Sequence, residues 1–330
     1  MTITTMPHQS THLSDIKLSV IAPMYNEEDI IEGYLEKTIA VLTRHFLDYE
    51  LILIDDGSTD HTVSRCLSYI RANKHIRLMS FSRNYGHEIA STAGLDHAVG
   101  DYVILMDSDL QHPPELIPDM VKKAGEGFDV VCASRVNREQ ETWFKKMSAR
   151  LFYRFSRKMT GFDLQSDTGN FRLLHRNVVD SLKKMKESNR HLIMMFAYVG
   201  YKTASIDYHC PPRAAGVSKY TLRKLINLSL DSIIGFSARP LRTMACFSVF
   251  ISIVMMLYAG FILIQKLFTH QQLADGIASV IFLISGLFSI LFLFLAIISE
   301  YISRILIETK NRPLYNIKED ITQASINQHE

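Results

Sequence analysis

Short apolar runs, each closed by a polar turn and separated by helix-length stretches, recur through the first half of the chain: 18–22, 51–54, 76–81, 102–106 and 130–133. Short runs of Val, Ile and Leu suit strands covered on both faces. Strand and helix in alternation is the pattern of a mostly parallel sheet. Ligands of such sheets bind beyond the carboxyl ends of the strands, so the turns there are the candidate site. The first run stops at Pro23, ahead of Met24-Tyr25-Asn26-Glu27-Glu28. The second ends in Asp55-Asp56-Gly57-Ser58-Thr59-Asp60, the third in Ser82-Arg83-Asn84-Tyr85-Gly86-His87, the fourth in Asp107-Ser108-Asp109-Leu110-Gln111.

The fourth turn allows two readings. Asp107 and Asp109 stand one residue apart with little positive charge nearby, and such a pair repels unless a cation joins it. A hard divalent ion held by one or two carboxylates and by substrate phosphates fits. Alternatively, the Asp and Ser residues cap the next helix, which Pro113-Pro114-Glu115 opens. No glycine fingerprint of the dinucleotide type follows the first strand, and no Walker-type loop occurs. A nucleotide would therefore be met through carboxylates and a metal.

The net charge of +2 gives no field directed at nucleic acid. Cys66, Cys132, Cys210 and Cys246 have no metal-type spacing and suit a reducing compartment. The 47 % hydrophobic content is concentrated after Arg242. There, 243–265 and 276–299 are free of charged residues, and each has the roughly 20-residue length that spans a bilayer. A basic helix with interleaved aromatics covers 141–160, and 220–237 reads as a helix lying in the membrane interface. Arg239, Arg242, Arg304, Lys310 and Arg312 flank the spans on one side, whereas the loop 267–275 has no Lys or Arg. The positive-inside rule then puts both termini and the soluble domain in the cytoplasm of a multi-pass inner-membrane protein. The expected organisation is a flexible 1–15, a catalytic domain over 16–215, interfacial helices over 216–242, the two spans, and a cytoplasmic tail over 300–330.

Pro23-x-Tyr25-Asn26-Glu27-Glu28, Asp55-Asp56-Gly57-Ser58-x-Asp60, Ser82-Arg83-Asn84-Tyr85-Gly86 and Asp107-x-Asp109-Leu110-Gln111-His112-Pro113-Pro114-Glu115 resemble, in order, the motifs of glycosyltransferase family 2 with its GT-A fold. Phe171-Arg172-Leu173, Gly216-x-Ser218-Lys219-Tyr220 and the paired spans narrow the resemblance to polyprenyl-phosphate glycosyltransferases. That branch includes the bactoprenol glucosyltransferases, the aminoarabinose transferases and the dolichol-phosphate mannose synthases. The resemblance implies inverting transfer of one hexose from a nucleotide sugar to a polyprenyl (undecaprenyl) phosphate at the cytoplasmic membrane surface. UDP-glucose is the donor its branch favours; UDP-GlcNAc, UDP-aminoarabinose and GDP-mannose are the alternatives. Pro23, Tyr25, Glu27, Asp55, Asp56, Ser58, Arg83, Asp107 and Ser108 would border the nucleotide sugar, with Asp55 and Asp56 holding base and ribose. Asp107 and Asp109 would face Mg²⁺ or Mn²⁺. Membrane lipids are implied partners, and a homo-oligomer such as a tetramer is open.

Two positions depart from the branch. Asn170 stands where relatives place the proposed base, Asp. Either Asp167 substitutes, or no base is needed because the acceptor is a phosphate monoester with a second pKa near 6. The second account is preferred, with Arg135, Arg172, Arg213 and Lys219 positioning the lipid phosphate. A third account makes Asn170 the mark of a slow or inactive scaffold relative. His87 replaces the Lys of many relatives, which puts a diphosphate contact there in question.

Overall fold

The computed structural model describes residues 16–136, 168–209, 239–269 and 276–327. The expected flexible N-terminus, the basic helix over 141–160, Asp167, the loop with Arg213 and Lys219, and most of the interfacial segment lie outside the described residues.

The described chain divides into two units. The first is an α/β domain on an eight-stranded sheet of order β7-β5-β6-β4-β1-β2-β3-β8. Its strands are β1 (Lys17–Met24), β2 (Asp48–Asp55), β3 (Ile76–Phe81), β4 (Tyr102–Leu105), β5 (Val130–Arg135), β6 (Thr168–His175), β7 (Thr203–Tyr208) and β8 (Ile317–Ile321). β1 runs parallel to both β2 and β4, and β3 parallel to β2. β6 is antiparallel to β4 and β5, and β8 is antiparallel to β3. The helices are α1 (Ile31–His45), α2 (Thr62–Ala72), α3 (His87–His97), α4 (Ile117–Gly125), α5 (Arg176–Lys184), α6 (Leu192–Val199), and a short α9 (Gln323–Asn327) after β8.

The expectation of strands buried on both faces holds in the centre. Along β1, Leu18, Val20 and Ala22 join the main core with Tyr34, Leu35 and Leu42 of α1, while Ile21 lies on the other face. Burying each Leu, Val or Ile among them stabilises the fold by about 1.5–3 kcal/mol relative to exposure. Gly94 of α3 packs over Ile21, where an added Cβ would stand 2.1 Å from Cγ2. β1 does not stop at Pro23: the strand runs to Met24. The Ile21 carbonyl accepts from Met106 N–H on the β4 side, and the Met24 carbonyl accepts from Asp56 N–H on the β2 side. By the alternation of a strand, Pro23 faces the β4 side, where pairing ends at Ile21–Leu105, so its missing N–H leaves no ladder bond unmade.

The second unit holds α7 (Arg239–Thr269) and α8 (Ile277–Thr309). Among the described residues, one stretch is long and apolar enough to cross a membrane, Gly286–Thr309, and none of it is buried. Thr243–Met255 is a shorter apolar helical stretch. Two complete spans at 243–265 and 276–299 are thus not reproduced in full. Large apolar side chains face outward on both helices, among them Phe250, Leu257, Phe292 and Ile305.

Candidate active site

The turns after β1, β2 and β3 are locked together at the carboxyl edge of the sheet. Asn26, at φ 53°, donates its N–H to Ser58 Oγ (2.9 Å), and its Oδ1 accepts from Thr59 N–H (2.8 Å). Glu27 N–H donates to Thr62 Oγ1 (2.8 Å), Glu28 N–H to Asp60 Oδ2 (3.2 Å), and His61 N–H returns a bond to Glu28 Oε2 (3.0 Å). Burial pushes the Asp60 carboxyl up, but hydrogen bonds from Thr62, Glu28 and its own N–H outweigh that and hold it below the usual range.

Asp55 and Asp56 are almost wholly buried, at 1 % and 4 % exposure. Asp55 accepts from Ser58 N–H (3.0 Å) and Ser80 Oγ–H (2.6 Å). Asp56 accepts from Tyr85 N–H (2.6 Å) and Gly86 N–H (2.9 Å). Burial raises the Asp56 pKa, and these two amides only partly offset it. Asp56 thus acts first as a staple between turns and Asp55 as one between its own turn and β3, although a carboxylate retains further acceptor positions. Gly57, at φ 73°, has no room for a side chain: a Cβ would lie 2.6 Å from the Arg83 carbonyl carbon. Arg83 donates to the Asn84 carbonyl (3.1 Å) and lies over the Tyr85 ring (4.0 Å). Tyr25 and Glu27 are half-buried on the first turn.

The turn after β4 carries the paired carboxylates. Ser108, itself buried, donates to the Pro23 carbonyl (3.1 Å) and ties this turn to the first. Asp109 Oδ1 accepts from Gln111 N–H (3.1 Å), and Leu110 takes φ 60°. Neither carboxylate caps a helix: the 3₁₀ turn Pro114–Leu116 that follows has Pro113 at its cap and no side-chain cap bond. The capping reading therefore fails, and Asp109 helps close its own turn. Among the described residues no trio of His, Cys, Asp and Glu forms a self-sufficient metal cage. The donor set fits an ion of the Mg²⁺ or Mn²⁺ kind, which takes one or two carboxylates and completes its shell from water and phosphate.

Two histidines flank Asp107. His87 Nε2 lies 3.3 Å from Asp107 Oδ1 and 2.8 Å from Asn170 Nδ2, while the buried Asn170 Oδ1 has no partner. With the amide turned so that its oxygen meets Nε2, an N–H on Nε2 would face two acceptors, Asn170 Oδ1 and Asp107 Oδ1. His112 is buried, stacked on Phe171 (4.9 Å between ring centres), and its Nδ1 accepts Asp107 N–H (3.0 Å). Burial lowers the His112 pKa, against the raising influence of Asp107 and Asp109, so the ring stays neutral with its proton on Nε2. The Arg135 Nη2 atom 3.3 Å from Nε2 is then a packing neighbour, and Arg135 is anchored by donating from Nε to Tyr208 Oη (3.0 Å).

The structure thus brings Asp107, His87, His112, Asn170 and Arg135 into one cluster. Arg172 is different. It is 5 % exposed, donates to the Gly169 carbonyl (3.0 Å) and lies over the Phe196 ring (4.7 Å). These contacts brace the strand that carries Asn170. Asp167, Arg213 and Lys219 fall outside the described residues. Sequence reasoning assigned no role to His112 or Tyr208; the His-Pro-Pro step after the acidic turn was the available signal for the first.

A mostly parallel sheet with ordered acidic turns at its carboxyl edge defines a GT-A-like α/β domain. The description of glycosyl transferase family 2 matches residues 19–183. The uncharacterized glycosyltransferase YkcC of Bacillus subtilis (strain 168) is 40 % identical over 92 % of this chain and 94 % of its own. The SfII prophage-derived bactoprenol glucosyl transferase of Shigella flexneri is 35 % identical over 92 % of this chain and 98 % of its own. A glucosyl-3-phosphoglycerate synthase from Mycobacterium tuberculosis, solved with Mn²⁺, UDP and phosphoglyceric acid, superposes with a TM-score of 0.50 at 21 % identity, over 66 % of this chain and 76 % of that one. This last likeness concerns the fold. The chain belongs to glycosyltransferase family 2 and is a glycosyltransferase.

Proposed function

We propose that the protein transfers one hexose from a nucleotide sugar, UDP-glucose in our reading, to undecaprenyl phosphate at the cytoplasmic face of the membrane, with inversion and with a divalent metal. The observation that carries this is the Asp107–Asp109 turn, set between the interlocked turns of β1–β3 and the anchored Arg135. The relatives named bactoprenol glucosyl transferase, matched over almost their whole length, support the acceptor class.

Asp107 and Asp109 would hold Mg²⁺ or Mn²⁺, whose charge stabilises the leaving nucleoside diphosphate. The turns over 25–28, 55–60 and 82–86 would seat the nucleotide, their backbones fixed by Asp55, Asp56 and Gly57. Asn170 cannot take a proton. A phosphate monoester acceptor is mostly dianionic at neutral pH and needs none removed. Arg135, anchored by Tyr208, would then orient that dianion.

Chain order supports the membrane reading. The first unit ends before Arg223, the two long helices follow, and the chain re-enters the same unit at Arg312 to supply β8. A chain that leaves one face of a bilayer and returns to it crosses an even number of times. If the unburied stretch Gly286–Thr309 crosses, α7 supplies the other passage. The basic residues at both ends favour the cytoplasm for the catalytic unit.

The test uses the full chain in detergent with Mn²⁺, undecaprenyl phosphate and radiolabelled UDP-glucose, and the three alternative donors in parallel. Label is expected in the organic phase with UDP-glucose, and Asp109→Ala is expected to abolish it. Full activity in that variant sinks the metal assignment. Nucleotide binding without turnover of any donor supports the scaffold reading instead.

A further inference from the structure

The residues after α8 do more than extend the sheet. β8 pairs with β3 through Leu78↔Ile321, Met79↔Asp320, Ser80↔Glu319 and Phe81↔Ile317, with an irregularity at Ser80/Phe81. Just before β8, the chain reaches past the end of β3 onto the turn that follows it. The Asn316 carbonyl accepts from Ser82 N–H (3.1 Å), and Asn316 Nδ2 donates to Tyr85 Oη (3.0 Å). The Tyr315 ring stacks on Phe81 (5.2 Å, 20°), and Phe81 in turn meets Tyr85 edge-on (5.6 Å). Tyr315 Oη donates to Asp96 Oδ2 on α3 (3.1 Å). The same turn supplies the two amides that hold Asp56, and β3 supplies the hydroxyl that holds Asp55. Two residues, Tyr315 and Asn316, therefore grip Phe81, Ser82 and Tyr85 from the side opposite the acidic turns.

We propose that the segment 314–321 is a positioning strap for the donor site: it fixes the turn over 82–86, keeps the Tyr85 and Gly86 amides on Asp56, and thereby sets affinity for the nucleotide. The inference rests on the reading that these turns seat the nucleotide. A turn held only by Asp56 would lose part of its preorganisation, and the cost of restoring it falls on the ligand that binds there. Among the described residues, no hydrogen bond of the strap reaches Asp107 or Asn170, so acceptor handling should not depend on it.

The experiment measures donor KM, acceptor KM, kcat and Tm for the full chain in detergent, with calorimetric titration of UDP in the presence of Mn²⁺. The variants are Asn316→Ala, Tyr85→Phe, their double, and Arg77→Ala. The last removes the bidentate Arg77–Asp320 pair (2.8 and 2.5 Å), which secures β8 away from the turn. Loss of the one Asn316–Tyr85 hydrogen bond is expected to raise donor KM and UDP Kd about threefold to tenfold, with acceptor KM unchanged. The double variant should match Tyr85→Phe, which already removes the Asn316 bond together with the Ser82 Oγ–Tyr85 Oη contact (3.3 Å). Arg77→Ala should lower Tm and leave donor KM in place. An unchanged donor KM in Asn316→Ala overturns the strap, and so does a rise in donor KM that follows Tm equally in Asn316→Ala and Arg77→Ala. If the wild type itself binds no UDP and turns over no nucleotide sugar, the donor reading falls and the strap with it. If the wild type binds UDP and Asn316→Ala binds it equally, the strap alone falls.

Discussion

Asn170 is the residue on which the chemistry turns. An aspartate there would put a second carboxylate beside His87 and Asp107, within reach of the ring nitrogen that now meets the amide at 2.8 Å. The base-free reading gives a definite outcome for Asn170→Asp: kcat within about threefold of wild type or below it, whereas a restored general base contributes about 10²-fold or more. A rise of that size, measured under saturating donor and acceptor, would return proton removal to the mechanism. Asp167→Asn, assayed beside it, is expected to keep the wild-type rate. His112 holds the start of the acidic turn: its neutral ring accepts the Asp107 amide and stacks on Phe171.

At the scale of the element, β8 is the strand whose docking rests most visibly on charge. The Arg77 hydrogen bond holds the Asp320 carboxyl below the usual carboxylate range, against the opposing pull of burial. A carboxyl lowered in the folded state contributes stability that is complete above its unfolded pKa of about 4 and is lost as pH falls through the folded value. The Tm gap between wild type and Asp320→Asn should therefore be steady above about pH 5 and close below about pH 4. A gap that stays constant to pH 3 would exclude the pair as its source. The central strands were legible because Leu51-Ile52-Leu53-Ile54 and Val103-Ile104-Leu105 are buried on both faces and so apolar at every position. β8 was not, because Ile317-Lys318-Glu319-Asp320-Ile321 is an edge strand whose three central residues are exposed and charged. The paired carboxylates of the site could be read because they interrupt an apolar run. The His112 contact could not, because it joins a side chain to a backbone amide five residues earlier through a fold the spacing does not encode. α6 was missed for the opposite reason, since Leu-Ile-Met-Met-Phe-Ala-Tyr-Val is apolar throughout and has no period to read.

For the whole molecule, the proposed even number of crossings makes a prediction about sidedness. In a cysteine-free background, Ala274→Cys should react with an impermeant maleimide from outside intact cells, and Asn327→Cys only in inverted vesicles. Labelling of both from one side would show that the helices do not form a crossing hairpin. The place of β8 in the chain has a temporal consequence as well. Synthesis delivers the N-terminal part of a chain first, so seven strands leave the ribosome before α7 and α8, and the eighth only after them. Until α7 and α8 have been made and the chain beyond them has paired, β3 is an open edge and the turn that carries Tyr85 has no Asn316 against it. Completion of the sheet is thus ordered behind synthesis of α7 and α8, so that, on the function proposed above, a nascent enzyme would acquire its finished donor site only once its anchor exists.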